Sequence, residues 1–310
     1  KKKKDNRWTV KYSHPEWMIN RWIQLYGAVN TEKMLVYNNT PPKIFISVNL
    51  NRITINQFIN LLDENKIEYK EKDKGFFQVL SNLSVERIPG YEKGYFWVQD
   101  PSSYFLFHFL MPVRGRILDL CASPGGKSFH LFNYYSDNDI YINDVSLKKW
   151  EYLKENLVRL NFWDRSKPLI SKGEKSCFRG KFDFVWADVP CSGLGVINRK
   201  GDIRWRRHEK DISQLASLQK NILEETAPLI NKGGYILYST CTIEPAENEE
   251  NIEFFLKRFP DFELVMPLGK EKLEEWNLLD GFYYRSYPFK NEMNGAFAAI
   301  LKRKESLYAV

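Results

Sequence analysis

Short apolar runs alternate with helical patterns from about residue 96 to the end of this 310-residue sequence. The apolar runs cover residues 116–120, 140–143, 182–187, 234–238 and 297–302, and the clearest helical patterns cover residues 146–161 and 212–230. Runs of this length between turn residues are typical of buried strands. Strands that alternate with helices predict an α/β fold with a doubly wound sheet, and we expect residues 297–302 to form its last strand, at an edge.

The first 95 residues show a different pattern. Residues 1–12 begin with four lysines and predict a basic, frayed tail. Two helical patterns follow, and then a strand-like run at 44–48, an amphipathic helix at 55–65 and another strand-like run at 76–80. The predicted division is a basic tail over residues 1–12, a small α+β module over 13–95 and an α/β domain over 96–310.

Two cysteines lie where predicted strands end and loops begin. Cys191 stands in Asp-Val-Pro-Cys-Ser-Gly, after the run at 182–187, and Cys241 stands in Tyr-Ser-Thr-Cys-Thr, after the run at 234–238. Because ligands of open α/β sheets bind outside the carboxyl ends of the strands, we expect both thiols in one active-site crevice. Free cysteine is also a common core residue. The turn residues and polar groups beside both cysteines favour a catalytic role over that alternative.

A glycine-containing loop, residues 121–127, joins the first strand of the α/β region to a helix that begins at Ser128. Such a loop lets the backbone approach a ligand next to a helix N-terminus. The next predicted strand ends at Asp144, and an acid about 20 residues beyond such a loop accepts hydrogen bonds from ribose hydroxyls. Because the loop lacks G-x-G-x-x-G, it fits S-adenosylmethionine better than a dinucleotide. A plain tight turn is the alternative.

Three segments of the chain resemble the signature motifs of the RNA 5-methylcytosine methyltransferases, the Sun/RsmB/NSUN family. They are Asp-Leu-Cys-Ala-Ser-Pro-Gly-Gly-Lys-Ser at 119–128, Asp-Val-Pro-Cys-Ser-Gly-Leu-Gly-Val-Ile at 188–197 and Ser-Thr-Cys-Thr-Ile-Glu-Pro-Ala-Glu-Asn at 239–248. Further similarity runs from residues 13–17 through 98–100 and 202–205 to 280–283, so it covers nearly the whole chain. Within the family, the bacterial Sun/RsmB enzymes of small-subunit ribosomal RNA are the most similar group.

The resemblance implies a Rossmann-like, seven-stranded methyltransferase domain that uses S-adenosylmethionine, preceded by a module that recognises RNA. The implied cofactor-binding residues are Cys121, Ala122, Ser123, Pro124, Gly125, Gly126, Lys127, Asp144, Glu174 and Asp188. The sequence departs from the family at Ser123, usually Ala, and at Glu174, usually Asp. It also lacks the helical domain that precedes this region in bacterial members, so we expect either a trimmed chain or a naturally short member.

The implied reaction is methylation of C5 of a cytosine in RNA. Attack of a thiolate on C6 breaks the ring conjugation and makes C5 nucleophilic enough to take the methyl group. By resemblance, Cys241 is the nucleophile and Cys191 assists release of the product. Asp188 would hydrogen-bond the amino and N3 edge of the cytosine or the amino group of the cofactor, and so stabilise the protonated ring as charge develops. Lys127 would orient Asp188 or the cofactor carboxylate, and a helix-surface lysine is the alternative.

Two other functions compete with this interpretation. A DNA cytosine methyltransferase would use Cys191 as its nucleophile, and a non-catalytic RNA-binding assembly factor could keep the same fold. The motif around Cys241 disfavours the first, and the intact set of motif residues disfavours the second. Basic residues around Trp205 predict a phosphate-binding surface or, equally, a solvated charged face; they are Arg199, Lys200, Arg204, Arg206 and Arg207.

Composition agrees with a nucleic-acid partner. The chain has 46 Lys and Arg against 39 Asp and Glu, a net charge of +7, which suits a polyanion. Its four cysteines, at 121, 177, 191 and 241, have no metal-ligand or disulfide spacing, and thiols that must stay reduced imply the cytosol. The longest apolar run, 104–113, is too short to span a bilayer. We expect a cytoplasmic monomer that binds RNA, ribosomal RNA before or during ribosome assembly, and neither a metal nor a membrane.

Overall fold

The structure, a computed structural model, describes residues 8–173, 178 and 180–305. Within those residues it contains a four-stranded sheet near the N-terminus and a nine-stranded sheet formed by the rest of the chain. None of the described helices is both long and apolar enough to cross a membrane.

The small sheet is antiparallel, with the strand order β2-β3-β1-β4. Its strands are β1 (Ile44–Val48), β2 (Tyr69–Asp73), β3 (Phe76–Val79) and β4 (Phe96–Val98). The helix α2 (Ile55–Glu64) begins at a capping box formed by Thr54 and Gln57, and it packs Phe58 against Phe77 and Phe96 of the sheet. Because β4 pairs with β1, the small sheet extends past residue 95; the division at that residue stays a prediction.

The N-terminal helices also differ in one respect from the prediction. Helix α1 (Glu16–Asn38) is interrupted at Gly27, whose φ of 78° is not helical, so it consists of two segments as its pattern indicates. Residues 8–12 are helical rather than frayed, because Trp8 and Tyr12 pack into the same apolar cluster as Trp22. Residues 1–7 lie outside the described residues.

The large sheet has the strand order β11-β12-β13-β9-β8-β5-β6-β7, with β10 also paired to β13. Its strands are β5 (Arg116–Asp119), β6 (Asp139–Asn143), β7 (Ser166–Leu169), β8 (Phe182–Asp188), β9 (Ile230–Thr240), β10 (Phe262–Val265), β11 (Leu279–Asp280), β12 (Tyr283–Ser286) and β13 (Ala296–Arg303). The five strands from β7 to β9 are parallel, and β13 is antiparallel to β9.

The predicted Rossmann-like fold is confirmed, with two differences. The short hairpin of β11 and β12 adds two strands to the seven formed by β5–β10 and β13. The prediction that residues 297–302 form an edge strand is wrong. One side of β13 pairs with β9, and its other side pairs with β12 at residues 296–298 and with β10 at residues 300–303.

Helices cover both faces of the large sheet. They are α3 (Pro101–Tyr104), α4 (Ser128–Tyr134), α5 (Leu147–Arg159), α6 (Ile203–Arg206), α7 (Glu209–Thr226), α8 (Glu249–Arg258), α9 (Lys270–Glu275) and α10 (Pro288–Asn291). Along β8, Phe184 and Trp186 belong to the core on one face, whereas Val185 and Ala187 belong to the core on the other. Both faces are therefore buried, which explains the continuous apolar runs in the sequence.

The order of the strands fixes where a ligand can bind. From β5 the chain continues to β6 on one side and returns later to β8 on the other. The connections that leave the carboxyl ends of β5 and β8 therefore diverge and open a crevice between them.

Buried hydrogen bonds join the two sheets into one body. The fully buried Asn49, next to β1, donates from Nδ2 to the carbonyl oxygens of Gly94 and Leu160, at 2.9 Å each. Gly94 has a φ of 67°, and a Cβ there would overlap the carbonyl oxygen of Arg159. Glycine is therefore required where the two backbones meet.

Replacing Asn49 with Ala should lower the free energy of unfolding by about 1–3 kcal/mol, because the carbonyls of Gly94 and Leu160 would stay buried without a donor. Urea titration followed by tryptophan fluorescence measures the change. Asn65→Ala is the matched control, since that exposed side chain donates to the carbonyl of Leu61 in the adjoining helix α2. Equal unfolding midpoints for the two variants would contradict the role of Asn49.

Candidate active site

The loops that follow β5, β8 and β9 surround a cavity of about 260 Å³, together with the segments before α3 and before β13. Its lining includes charged residues, thiols and amides, which are Gln99, Asp100, Asp119, Cys121, Lys127, Asp188, Lys200, Cys241 and Asn294. Of the predicted cofactor residues, Ala122, Ser123, Pro124 and Gly126 also line it. The cavity lies at the carboxyl ends of the strands, where the strand order places the crevice.

The two predicted thiols lie in contact. Cys191 Sγ is 3.0 Å from Cys241 Sγ, and the backbone N–H of Cys241 donates to Cys191 Sγ at 3.3 Å. Cys241 is among the residues that line the cavity, whereas Cys191 is not. The pairing of Asp188 with Ser239 brings the two loops together, because Cys191 lies three residues after Asp188 and Cys241 lies two residues after Ser239.

The two thiols differ in acidity. The pKa of Cys241 is lowered chiefly because the Cys191 S–H donates to it. Burial and the carboxylate of Asp188 raise that pKa, whereas the cations of Lys127 and Lys200 lower it, and the net shift is downward. The pKa of Cys191 is raised well above its ordinary value, since it is the donor to Cys241, is buried, and lies near the carboxylate of Glu247. The arrangement therefore favours a thiolate on Cys241, and the thiolate is the nucleophilic form of cysteine.

Lys127 and Asp188 form an ion pair at the wall of the cavity. Lys127 Nζ donates to Asp188 Oδ1, which also accepts from Ser239 Oγ at 2.7 Å. Burial lowers the pKa of Lys127. Asp188 and Cys241 raise it by more than burial lowers it, so the net shift is upward. With a side chain only 14% exposed, Lys127 is not a helix-surface lysine.

A buried network that the sequence analysis missed holds the loop of Cys191. Glu247 Oε2 accepts from the backbone N–H of Ser192 at 2.8 Å and from Gln219 Nε2 at 2.9 Å, and Gln219 also donates to the carbonyl of Pro190. Burial raises the pKa of Glu247. Glu247 belongs to the motif at 239–248, and its place in a signature motif was the signal that could have identified it from the sequence.

Asp119 is a second residue that the analysis missed, although it opens the motif at 119–128. Its Oδ2 accepts from Ser128 Oγ at 2.6 Å, and its Oδ1 is buried without a partner among the described residues. Burial raises the pKa of Asp119 to about 7. An unpaired buried oxygen at a cavity wall is a place for a ligand donor.

Asp144 bonds to the glycine-containing loop and is not among the residues that line the cavity, so its predicted contact with a ribose stays a prediction. Its Oδ2 accepts from the backbone N–H of Ser123 at 3.1 Å, and its Oδ1 accepts from that of Ser146 at 2.9 Å. Gly125 has a φ of 105°, and a Cβ there would overlap the ring of Phe129. The predicted contribution of Glu174 lies outside the described residues.

The basic residues around Trp205 do not form one surface. Arg204 is buried and donates to Asn39 Oδ1 at 2.8 Å and to two backbone carbonyls of the N-terminal region. Arg207 donates to the carbonyls of Cys191 and Ser192, and Arg199 pairs with Asp100 at 3.3 Å. For Arg204 both interpretations of the cluster are wrong, because its buried side chain holds the N-terminal region in place. Arg199 also lines the cavity, and for Arg199 and Arg207 the two interpretations stay predictions.

What remains of the cluster faces solvent. The side chain of Arg206 is 79% exposed and pairs with Asp202 at 3.0 Å, and Trp205 beside it is 59% exposed. Lys200 is exposed and lines the cavity. These residues are the part of the cluster that could contact a polyanion. No group of three or more His, Cys, Asp or Glu in the described ranges could hold a metal ion.

Comparison with known proteins gives two family matches. The 16S rRNA methyltransferase RsmB/F family model matches residues 109–302, and the RsmF/B-like ferredoxin-like domain matches residues 14–75. Ribosomal RNA small subunit methyltransferase B of Photorhabdus laumondii is 35% identical over 280 residues, which are 87% of this chain and 65% of that protein. The protein of the same name from Yersinia pestis is 34% identical over 284 residues, which are 88% of this chain and 66% of that protein.

Solved structures share the fold over most of the chain. The crystal structure of PH0851 has a TM-score of 0.85 and 28% identity, covering 97% of this chain and 68% of that one. The structure of NSun6 from Pyrococcus horikoshii with SFG has a TM-score of 0.81 and 19% identity, covering 94% of this chain and 99% of that one. At 19% identity, the similarity to NSun6 shows the fold alone.

Iodoacetamide should alkylate Cys241 faster than Cys121 at neutral pH, because the pKa of Cys241 is lowered whereas burial raises that of Cys121. The pH at which Cys241 becomes reactive should rise in Cys191→Ala, which loses the S–H donor. At neutral pH its alkylation should slow about tenfold for each unit of that rise. Mass spectrometry of the alkylated peptides measures both rates, and an unchanged pH profile in the variant would contradict the assigned donor.

Proposed function

The chain belongs to the 16S rRNA methyltransferase RsmB/F family, and from this premise we propose that it transfers a methyl group from S-adenosylmethionine to C5 of a cytosine in RNA. The observation that carries the proposal is the contact of 3.0 Å between the Cys191 and Cys241 sulfurs. Cys241 lines a cavity at the carboxyl ends of the strands, where ligands of such sheets bind. A covalent bond between Cys241 and C6 of the cytosine would be the intermediate.

Ribosomal RNA is the substrate that the relatives support. Two curated relatives are ribosomal RNA small subunit methyltransferases B, although this chain spans only 65% and 66% of their lengths. The exposed side chains of Lys200, Trp205 and Arg206 lie beside the cavity loops and suit a phosphate backbone with an unstacked base. Action in the cytoplasm, on RNA before or during ribosome assembly, belongs to the same proposal.

The residues of the cavity fit S-adenosylmethionine. Asp119 Oδ1 is a buried acceptor without a partner, which suits the ammonium group of the methionyl part. The loop at 121–127 presents backbone next to the start of α4, and Lys127 lies where a carboxylate can be held. The NSun6 structure contains SFG, an analogue of this cofactor. When bound, the cofactor supplies a methyl group on a positively charged sulfur.

The thiol pair can assist both halves of the reaction. Cys241, as thiolate, attacks C6, and the electron pair of the C5–C6 double bond moves to C5, which then takes the methyl group. A base must next remove the C5 proton, so that the double bond re-forms and Cys241 leaves as thiolate. Because the Cys191 S–H stabilises that thiolate, it makes Cys241 a better leaving group. Asp188 and Lys127 line the cavity and can stabilise the ring as charge develops.

The competing functions have less support. A mechanism of the DNA type would need Cys191 as nucleophile, but its pKa is raised and it does not line the cavity. A purely RNA-binding role does not explain why the partly buried Lys127 and Asp188 form an ion pair at the wall of the cavity. Burying two charges is costly unless function or packing requires it.

The two cysteines should give opposite results on a ribosomal RNA fragment. Cys241→Ala should neither methylate nor form an adduct, since it lacks the attacking sulfur. Cys191→Ala should attack and transfer the methyl group but release slowly, because the leaving thiolate has lost its donor. Denaturing gels with labelled RNA detect the stable adduct. A double Cys191→Ala, Cys241→Ala variant is the control and should form none, and an adduct in Cys241→Ala alone would overturn the assignment.

Replacing Asp144 with Ala should weaken binding of S-adenosylmethionine by about 1–3 kcal/mol, because the backbone of Ser123 loses its buried acceptor and the loop loses its position. Calorimetric titration measures the affinity. Asp139→Ala is the matched control, since Asp139 lies at the opposite end of the same strand and pairs with Lys167 in solvent. Equal affinities would remove Asp144 from the cofactor site.

A further inference from the structure

Asn294, just before β13, is a buried side chain of the cavity wall that the reaction above does not use. It is 1% exposed, and its Nδ2 donates to Asp100 Oδ2 at 2.9 Å. A carboxylate only accepts hydrogen bonds, so the amide must turn its nitrogen to Asp100 and its oxygen away. That oxygen, Oδ1, has no partner among the described residues although it is buried.

Asp100 is itself held in place, which fixes the direction of the amide. Asp100 Oδ1 accepts from the backbone N–H and the hydroxyl of Ser102, at 2.9 and 2.7 Å. Asp100 Oδ2 faces Arg199 Nε at 3.3 Å in addition to Asn294. Asn294 Oδ1 is therefore a preorganised acceptor, and because Asn294 lines the cavity, a donor that enters with a ligand can supply its partner.

The strand order places this acceptor close to the loop of the nucleophile. β13 pairs with β9 so that Phe297 lies opposite Thr240, the residue before Cys241. Gly295 donates to the carbonyl of Gly195, and Gly195 donates to the carbonyl of Cys241, at 2.8 and 3.2 Å. β8 and β9 separate β13 from β5 and its loop.

A pyrimidine held with C6 against Cys241 brings one group that such an acceptor can recognise. Cytosine carries an amino group at C4, which donates, whereas uracil carries a carbonyl oxygen there, which only accepts. We propose that Asn294 Oδ1 accepts a hydrogen bond from the 4-amino group of the target cytosine and so discriminates cytosine from uracil. The inference rests on the proposed function and adds a specificity-determining residue to it.

Discrimination follows from the burial of the acceptor. With uracil, two oxygens would face each other, whereas with cytosine the buried oxygen gains a partner that the described residues do not provide. A site built to accept from a substrate amino group rejects analogues that lack it, since its polar atom then stays unpaired.

The test uses the full chain and two RNA fragments that differ only at the target, which is cytosine in one and 2-pyrimidinone in the other. The second base keeps C5, C6 and the ring nitrogen but lacks the 4-amino group. For each protein, kcat/KM of adduct formation on the cytosine RNA is divided by that on the 2-pyrimidinone RNA. Because the intrinsic reactivities of the two rings are the same for both proteins, they cancel when this ratio is compared between wild type and Asn294→Leu. The preference for cytosine should fall about tenfold in Asn294→Leu, the loss of one buried hydrogen bond.

Asn38→Leu is the matched control, because Asn38 is also buried with an unpartnered Oδ1 but does not line the cavity. Its ratio should equal that of the wild type. Calorimetric affinity for S-adenosylmethionine is measured in parallel and should be unchanged in Asn294→Leu, which also shows that the variant is folded. If Asn294→Leu does not fold, Asn294→Ala is measured in its place.

Two outcomes overturn the inference. An unchanged base ratio in the folded Asn294 variants means that the amino group is read elsewhere. A weaker cofactor affinity with an unchanged ratio assigns the acceptor to the cofactor ammonium instead. A wild-type protein that forms no adduct with either RNA contradicts the proposed function itself, and this result differs from both.

Discussion

The parallel pairing of β8 with β9 is the constraint on which the candidate site depends. Its register sets Asp188 opposite Ser239, so that the loops of Cys191 and Cys241 leave the sheet side by side. Successive side chains of a strand point to opposite faces, so a shift of one residue would turn Asp188 away from Lys127. The sulfur contact of 3.0 Å and the different acidities of the two thiols follow from that register.

The N-terminal part of the chain contributes to the site through buried charge. Arg21 Nε donates to Glu244 Oε2 at 2.6 Å, and Glu244 lies three residues after Cys241 in the same loop. Arg204 reaches the opposite way, from α6 to the carbonyls of Ser13 and Asn38. Because an unpaired buried charge is very unfavourable, these contacts fix the N-terminal helices against the loop of the nucleophile.

Gln99 connects the small sheet to the cofactor loop in a similar way. Its Oε1 accepts from Ser47 of β1, and its Nε2 donates to the carbonyl of Gly126, both at 3.1 Å. Displacement of the small sheet would therefore disturb the loop that is proposed to hold the cofactor. The two parts of the chain form one continuous hydrogen-bonded body around the cavity.

The sequence by itself determined the α/β class, five strands of the large sheet, and the residues in the loops at their ends. The strands β7, β10, β11 and β12 were not predicted. Buried strands are apolar throughout, and Cys191, Cys241, Lys127 and Asp188 follow them within continuous motifs. Only the tertiary structure decided which strands are neighbours, and hence that β13 lies inside the sheet and brings Asn294 beside Cys241. It also decided that Arg204 is buried, since a basic residue in sequence does not reveal whether carbonyls from a distant segment surround it.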